Sequence, residues 1–169
     1  MPGWNWISFS LNVPDQSIDN TLQSLSNPVG GLIKDQTSFS QYSSGLNKWV
    51  GSLTNLGYTS MYQYNSSSKD TIHLIGEIIQ SETVNIPISA GWNWISYLPN
   101  TALTPNEALI SLNPLNNDII KSRTEFSQYV AGVGWIGNLD FLNYPNGYML
   151  KISNPGVLQY PPNVPLSAP

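Results

Sequence analysis

Gly3-Trp4-Asn5-Trp6-Ile7-Ser8 recurs as Gly91-Trp92-Asn93-Trp94-Ile95-Ser96, 88 residues further along the chain. The echo continues in order. Ser17 to Leu25 matches Thr104 to Leu112, and Ile33-Lys34 matches Ile120-Lys121. Phe39-Ser40-Gln41-Tyr42 matches Phe126-Ser127-Gln128-Tyr129, and Trp49-Val50-Gly51-Ser52-Leu53 matches Trp135-Ile136-Gly137-Asn138-Leu139. Tyr58 and Met61 pair with Tyr144 and Met149. A long internal period sets architecture before any shorter motif is read. It divides the chain into a first repeat over 3–90 and a second over 91–169.

Each repeat opens on an alternating strand. In Trp4 to Leu11, side chains alternate between two faces, with Asn5, Ile7, Phe9 and Leu11 on one and Trp4, Trp6, Ser8 and Ser10 on the other. For Trp6 and Trp94 this reads as a core position, whereas Trp4 and Trp92, at the strand start, fit either core or an exposed binding surface. A short helix follows. Thr104-Pro105-Asn106-Glu107 combines a capping hydroxyl, a proline at the first helical position and a glutamate three residues on. Ser17 takes the cap position in the first repeat, and Asn27-Pro28 and Asn113-Pro114 end both helices. Short runs of Val, Ile, Tyr, Phe and Trp then predict strands near 31–36, 39–43, 47–53, 58–64, 70–79 and 84–97. Their counterparts lie near 117–123, 126–130, 134–139, 147–152 and 156–160. The extra length between Asn65 and Ile86 reads as an extended hairpin.

The expected fold is therefore mainly β. It comprises two tandem homologous repeats, each a small sheet or barrel-like unit with one short helix. The stretch 84–97 joins them without a Gly/Ser linker, which favours close packing with approximate two-fold symmetry. One compact body and two beads both remain compatible with the pattern.

Composition narrows function. Only 9% of the 169 residues are charged, with a formal net charge of −4. Ordinary proteins carry about a quarter. No Lys/Arg cluster exists to neutralise phosphates, which argues against a nucleic-acid partner. No apolar run reaches bilayer-spanning length, so membrane insertion by a helix is not expected. The absence of cysteine excludes disulfides and thiolate metal sites. Met1-Pro2 leads straight into the first repeat, and Val164-Pro165-Leu166-Ser167-Ala168 has the form of the Ile86-Pro87-Ile88-Ser89-Ala90 that precedes Gly91. Both features suggest a two-repeat piece of a longer tandem protein. Pairing of the last segment beside the first strand is an alternative that does not conflict with this.

The ordered set GWNWIS, IK, FSQY, W(V/I)G(S/N)L and GYM resembles a tandem repeat of large secreted or surface proteins of bacteria and some algae. The resemblance covers nearly the whole chain, twice. It implies an extracellular or cell-surface setting, neighbouring domains in a longer chain, and a non-catalytic binding or structural role. The family's IKSQ stands here as Ile33-Lys34-Asp35-Gln36 and Ile120-Lys121-Ser122-Arg123. The last position therefore departs from the pattern in the second repeat.

Catalysis finds little footing. His73 is the only histidine and has no repeat partner. The acids are scattered and none is duplicated: Asp35 aligns with Ser122, Glu107 with Asn20, Asp140 with Thr54 and Glu125 with Ser38. Paired facing carboxylates, which glycoside hydrolysis requires, are not evident. Neither a metal motif nor a cofactor motif is present. Asp15, Asp19 and Asp118 are the only acids that invite a calcium reading, without the spaced loop such a site uses.

What both repeats keep is one lysine and a set of aromatics. Lys34 and Lys121 read as sheet-edge guards, repeat-to-repeat struts or ligand contacts. Trp49 and Trp135 follow glycine-bearing loops, with Tyr42 and Tyr129 just before those loops. Rigid amphipathic aromatics anchor many binding surfaces. The candidate ligand contacts are thus Lys34, Gln41, Tyr42 and Trp49, repeated as Lys121, Gln128, Tyr129 and Trp135. The expected function is carbohydrate binding or adhesion, with a neutral polysaccharide or glycan as partner and avidity from the two sites. A structural spacer or protein-contact repeat is the alternative.

Overall fold

The computed structural model describes residues 1–164. The tail expected to mimic the inter-repeat segment therefore lies, from Pro165 onward, outside the described residues. The protein is mainly β, as expected from the alternating segments. In chain order the elements are β1 (Gly3–Ser8), β2 (Leu11–Asn12), α1 (Ile18–Thr21), β3 (Leu32–Lys34), β4 (Phe39–Ser43), β5 (Lys48–Gly51), β6 (Met61–Ser66) and β7 (Glu77–Ile78). They continue with β8 (Ile86–Ile88), β9 (Gly91–Ile95), α2 (Pro105–Ala108), β10 (Ile119–Lys121), β11 (Phe126–Val130), β12 (Gly134–Gly137), β13 (Tyr148–Ile152) and β14 (Gly156–Leu158).

Two five-stranded antiparallel sheets carry the structure, in the orders β1-β6-β3-β4-β5 and β9-β13-β10-β11-β12. Matching segments of the two repeats occupy matching places in these orders. The local chemistry explains why. Asn5 Nδ2–H donates to Met1 O and Gly3 O, and Asn93 Nδ2–H donates to Ser89 O and Gly91 O. Each asparagine thus ties down the turn that launches its strand, where Gly3 and Gly91 hold φ of +87° and +95°.

The W-x-G-x-L motif builds a bulge. Phe39 O accepts from both Ser52 N–H (2.9 Å) and Leu53 N–H (3.1 Å). Phe126 O likewise accepts from Asn138 N–H (3.0 Å) and Leu139 N–H (3.2 Å). Two residues opposite one is the arrangement of a β-bulge. It brings the glycines against the neighbouring strand: a Cβ on Gly51 would meet Phe39 O at 2.2 Å, and one on Gly137 would meet Phe126 O at 2.1 Å.

The helices are single turns. Thr104 and Glu107 form the predicted capping box, with Thr104 N–H donating to Glu107 Oε2 at 2.8 Å. Ser17 makes no side-chain cap; Asp15 Oδ1 accepts from Ser17 N–H instead. A side chain from each helix fixes a strand. Asp19 Oδ1 accepts from Trp49 N–H (2.8 Å), and Asn106 Oδ1 accepts from Trp135 N–H (3.0 Å).

Other expectations require correction. Residues 65–86 do not form an extended hairpin. Asp70 instead receives Ser26 N–H and Asn27 N–H, and β7 pairs with β2 far upstream. The expected 84–97 strand breaks into β8 and β9, because Asn93 folds the Ser89-Ala90 turn back on itself. The apolar residues form two buried clusters. Ile79, Ile86 and Ile88 precede Gly91 in sequence, yet they are buried with the second repeat.

The repeats meet through reciprocal strand extensions. Ser8 N–H donates to Pro145 O (2.8 Å) and Gly147 N–H to Trp6 O (3.3 Å), so β1 runs on beside the start of β13. Ser96 N–H reaches Thr59 O (3.5 Å), and Ile95 bridges Ser60, so β9 runs on beside the start of β6. Ser8 is buried here, its Oγ–H donating to Asn146 O and its Oγ accepting from Tyr97 N–H.

Candidate functional site

Register places the candidate residues on two different faces. Across one sheet the outward row runs Trp4, Asn65, Leu32, Gln41, Val50. The next runs Trp6, Gln63, Lys34, Phe39. In the other sheet the rows are Trp92, Lys151, Ile119, Gln128, Ile136 and Trp94, Met149, Lys121, Phe126. Lys34, Gln41, Lys121 and Gln128 therefore share the outward faces. Tyr42, Trp49, Tyr129 and Trp135 point the other way, toward the helices.

Trp49 and Trp135 are only 6% and 8% exposed. Each meets its tyrosine edge to face, with ring centroids 5.6 Å apart for Tyr42–Trp49 and 5.5 Å for Tyr129–Trp135. They close the cores under α1 and α2, and with their tyrosines they line matching clefts of about 380 Å³ and 320 Å³. The expected single patch of lysine, glutamine, tyrosine and tryptophan does not form. Alternation alone separates Gln41 from Tyr42, since neighbours on a strand face opposite ways.

The exposed indoles lie elsewhere. Trp4 and Trp92 are 42% and 41% exposed, and Trp6 and Trp94 are half-buried on the same outward faces rather than in the core. The two lysines organise them. Lys34 Nζ lies 5.1 Å from the Trp4 ring and 5.8 Å from the Trp94 ring. Lys121 Nζ lies 4.9 Å from the Trp92 ring and 5.7 Å from the Trp6 ring. Each cation thus engages one indole of its own repeat and one of the other, at distances typical of cation–π attraction. Both lysines stand on the third strand of five, so the sheet-edge reading is overturned.

A groove of about 520 Å³ opens beside this array, lined by Trp4, Lys34, Phe39, Trp94 and the Asp35–Ser38 turn. Its wall is held by Gln36, whose Nε2–H donates to Trp92 O (2.8 Å) while its Oε1 accepts from Trp94 N–H (3.1 Å). One carboxamide thereby closes the outer edge of β9. Arg123 stands at the matching position of the other repeat, beside Trp6 in a more polar groove of about 320 Å³. Gln36, Phe39 and Phe126 were not among the candidate residues. Repetition of Phe39 as Phe126 was the available signal.

The acids do other work. Among the described residues no group of three or more metal-ligating side chains exists. Asp15, Asp19 and Asp118 lie apart: Asp118 accepts from Leu115 N–H, Ser153 N–H and the Ser153 hydroxyl. Backbone hydrogen bonds hold the carboxyls of Asp15, Asp70 and Glu107 below their ordinary range, through Ser17, Thr71 and Thr104 respectively. A general acid working near neutrality would need the opposite shift.

Comparison with protein families, curated proteins and solved structures returns no match for this chain.

Proposed function

We propose that this protein is a non-catalytic carbohydrate-binding or adhesion module of an extracellular or surface protein, with a neutral polysaccharide as its partner. The observation that carries the reading is the pair of exposed indoles, Trp4 and Trp92, each held beside a lysine on an outward face rich in amides. Rings fixed in this way stack on the C–H faces of sugars at little entropic cost. Gln41, Gln63, Asn65 and Gln128 lie along the same rows and suit sugar hydroxyls. Trp4, Trp92, Lys34, Lys121, Phe39, Phe126, Gln41 and Gln128 form the site in this reading. Tyr42, Trp49, Tyr129 and Trp135 support it from beneath.

The test is affinity electrophoresis against a panel of neutral polysaccharides. Trp4→Ala combined with Trp92→Ala should weaken retardation by about tenfold or more, the equivalent of one aromatic contact of ~1.5 kcal/mol. Melting curves confirm that the variant folds. Absence of retardation by any glycan, or equal retardation of the double variant, rejects the reading.

A spacer or protein-contact role is the second reading. It is favoured by the lysines, which each bridge indoles of both repeats and thereby stiffen the junction.

A further inference from the structure

The two repeats finish the outer edges of their first strands differently. On β9, Trp92 O and Trp94 N–H point away from β13, and one side chain meets both. Gln36 Nε2–H donates to Trp92 O at 2.8 Å, and Gln36 Oε1 accepts from Trp94 N–H at 3.1 Å. A carboxamide fits because it sets one donor beside one acceptor.

The matching groups on β1 are Trp4 O and Trp6 N–H, and they leave the strand on the matching side. Trp6 O and Ser8 N–H bond Gly147 and Pro145 on the side away from β6. Main-chain groups of alternate residues in a strand point the same way, which puts Trp4 O and Trp6 N–H there too. Among the described residues neither has a hydrogen-bond partner.

Arg123 accounts for the difference. Its turn is built like that of Gln36. Asp35 Oδ1 accepts from Thr37 N–H and Ser38 N–H, and Ser122 Oγ accepts from Thr124 N–H and Glu125 N–H. Asp35 N–H bonds Ser38 O at 3.0 Å, and Ser122 N–H bonds Glu125 O at 2.9 Å. Position 123 thus sits where position 36 does, but a guanidinium has no acceptor for Trp6 N–H. A donor and an acceptor are left side by side on a strand edge, next to a cation. Beside them lies the groove of about 320 Å³ whose lining includes Trp6, Arg123, Thr124, Glu125, Asn143 and Asn146.

We propose that this edge holds two neighbouring hydroxyls of one sugar ring, one donating to Trp4 O and the other accepting from Trp6 N–H. The pair reproduces with two oxygens what the Gln36 carboxamide does on β9. Arg123 is placed to donate to either oxygen, and the Trp4 indole, 42% exposed, adjoins the edge as a face for the ring. Other chemistries match less well. A carboxylate, sulfate or phosphate has nothing to donate to Trp4 O. The N–H and C=O of a trans secondary amide point in opposite directions, so the acetamido arm of an amino sugar meets only one of the two groups. A peptide strand finds a short edge, because β1 is already paired with Pro145 and Gly147 from Trp6 O onward. The inference rests on the carbohydrate-binding reading and narrows it. The partner is a neutral sugar with an intact vicinal diol, held between Trp4 of the first repeat and Arg123 of the second.

Nuclear magnetic resonance of the isotope-labelled protein tests it, with the Trp6 main-chain amide as reporter. The probes are the methyl glycosides of glucose, galactose and mannose and their 3-deoxy derivatives. Removing the 3-hydroxyl leaves the ring without two neighbouring hydroxyls. At least one parent glycoside should move the Trp6 amide saturably, and its 3-deoxy form should bind about tenfold or more weakly, a difference of ~1.4 kcal/mol. Arg123→Gln brings its own carboxamide to the edge, so it should abolish the Trp6 response while raising the urea midpoint. A residue with a purely structural role would not move binding and stability in opposite directions. Three results overturn the proposal: a Trp6 amide that no glycoside moves, a 3-deoxy glycoside bound as tightly as its parent, or an Arg123→Gln chain that binds as the unaltered one does. If N-acetylglycine methylamide, a minimal peptide, moves that amide at lower concentration than any glycoside, the edge takes peptide strands, which also overturns it. Retardation by a polysaccharide with the Trp6 amide unmoved removes this edge site and leaves the carbohydrate-binding reading standing. No response in either experiment removes both.

Discussion

At position 36 a single side chain closes a strand edge that position 123 leaves open. The Gln36 carboxamide offers one donor and one acceptor, which match Trp92 O and Trp94 N–H. A guanidinium has donors only. Arg123 has no acceptor for Trp6 N–H, the group on β1 that corresponds to Trp94 N–H. Arg123→Gln should therefore stabilise the protein by about 0.5–1.5 kcal/mol, the usual net worth of a hydrogen bond, and Gln36→Ala should cost a similar amount. Urea melts of both variants measure this; an Arg123→Gln midpoint no higher than the parent's defeats the assignment. Sequence comparison located position 123 as the departure from the repeat. It did not reveal that the partner was a backbone edge, because that edge belongs to residues 56 and 58 positions away.

Among the elements, the bulge opposite the start of each Phe-Ser-Gln-Tyr strand shows the tightest steric demand. Gly137→Ala would drive a Cβ into Phe126 O, and Gly51→Ala into Phe39 O. Overpacking of this kind costs roughly 1–3 kcal/mol. Gly45→Ala serves as the control, since a Cβ there meets nothing within 4 Å. The expected order of urea midpoints is parent and Gly45→Ala together, with Gly137→Ala and Gly51→Ala clearly lower. Equal midpoints for all four would remove the steric explanation of the motif. The duplicated W-x-G-x-L spacing marked this segment as a repeated strand and Thr104-x-x-Glu107 marked the α2 cap, whereas the bulge emerged only with the paired strands. The first repeat's 65–86 segment was not readable in this way. Its apolar residues suit a hairpin locally, and its true partners are β2 and the Ser24–Asn27 turn, more than forty positions away.

For the molecule as a whole, buried tyrosines set the alkaline limit. Burial raises the Tyr62 hydroxyl to about 12. It also raises Tyr64, Tyr97, Tyr148 and Tyr160, with the neighbouring phenol of Tyr97 adding to the shift at Tyr160. Tyr97 and Tyr160 donate to Thr101 O and Ser96 O, each at 2.6 Å, and an ionised phenol could not. A folded-state value above the unfolded one, near 10, gives stability that is complete below about pH 10 and is lost as pH climbs through the folded values. Ionisation of these five tyrosines should thus coincide with the loss of circular dichroism, in one cooperative alkaline transition. Ionisation of all nine tyrosines near pH 10 in an intact fold would contradict the buried network. At the acid end, the lowered carboxyls of Asp15, Asp70 and Glu107 favour the fold above the ordinary carboxylate range, and that contribution fades as pH falls through their depressed values.

Duplication, alternation and turn chemistry are written in adjacent residues. The chain by itself therefore determined a mainly-β protein with duplicated strand segments and the α2 cap. Alternation says which residues share a face and is silent on which face is covered. That choice depends on what packs there from a distance: the helices over Tyr42 and Trp49, the other repeat beside Ser8, and each lysine beneath an indole of both repeats. Those contacts are non-local, so only the tertiary structure decided that Trp49 is core and that Trp4 faces water.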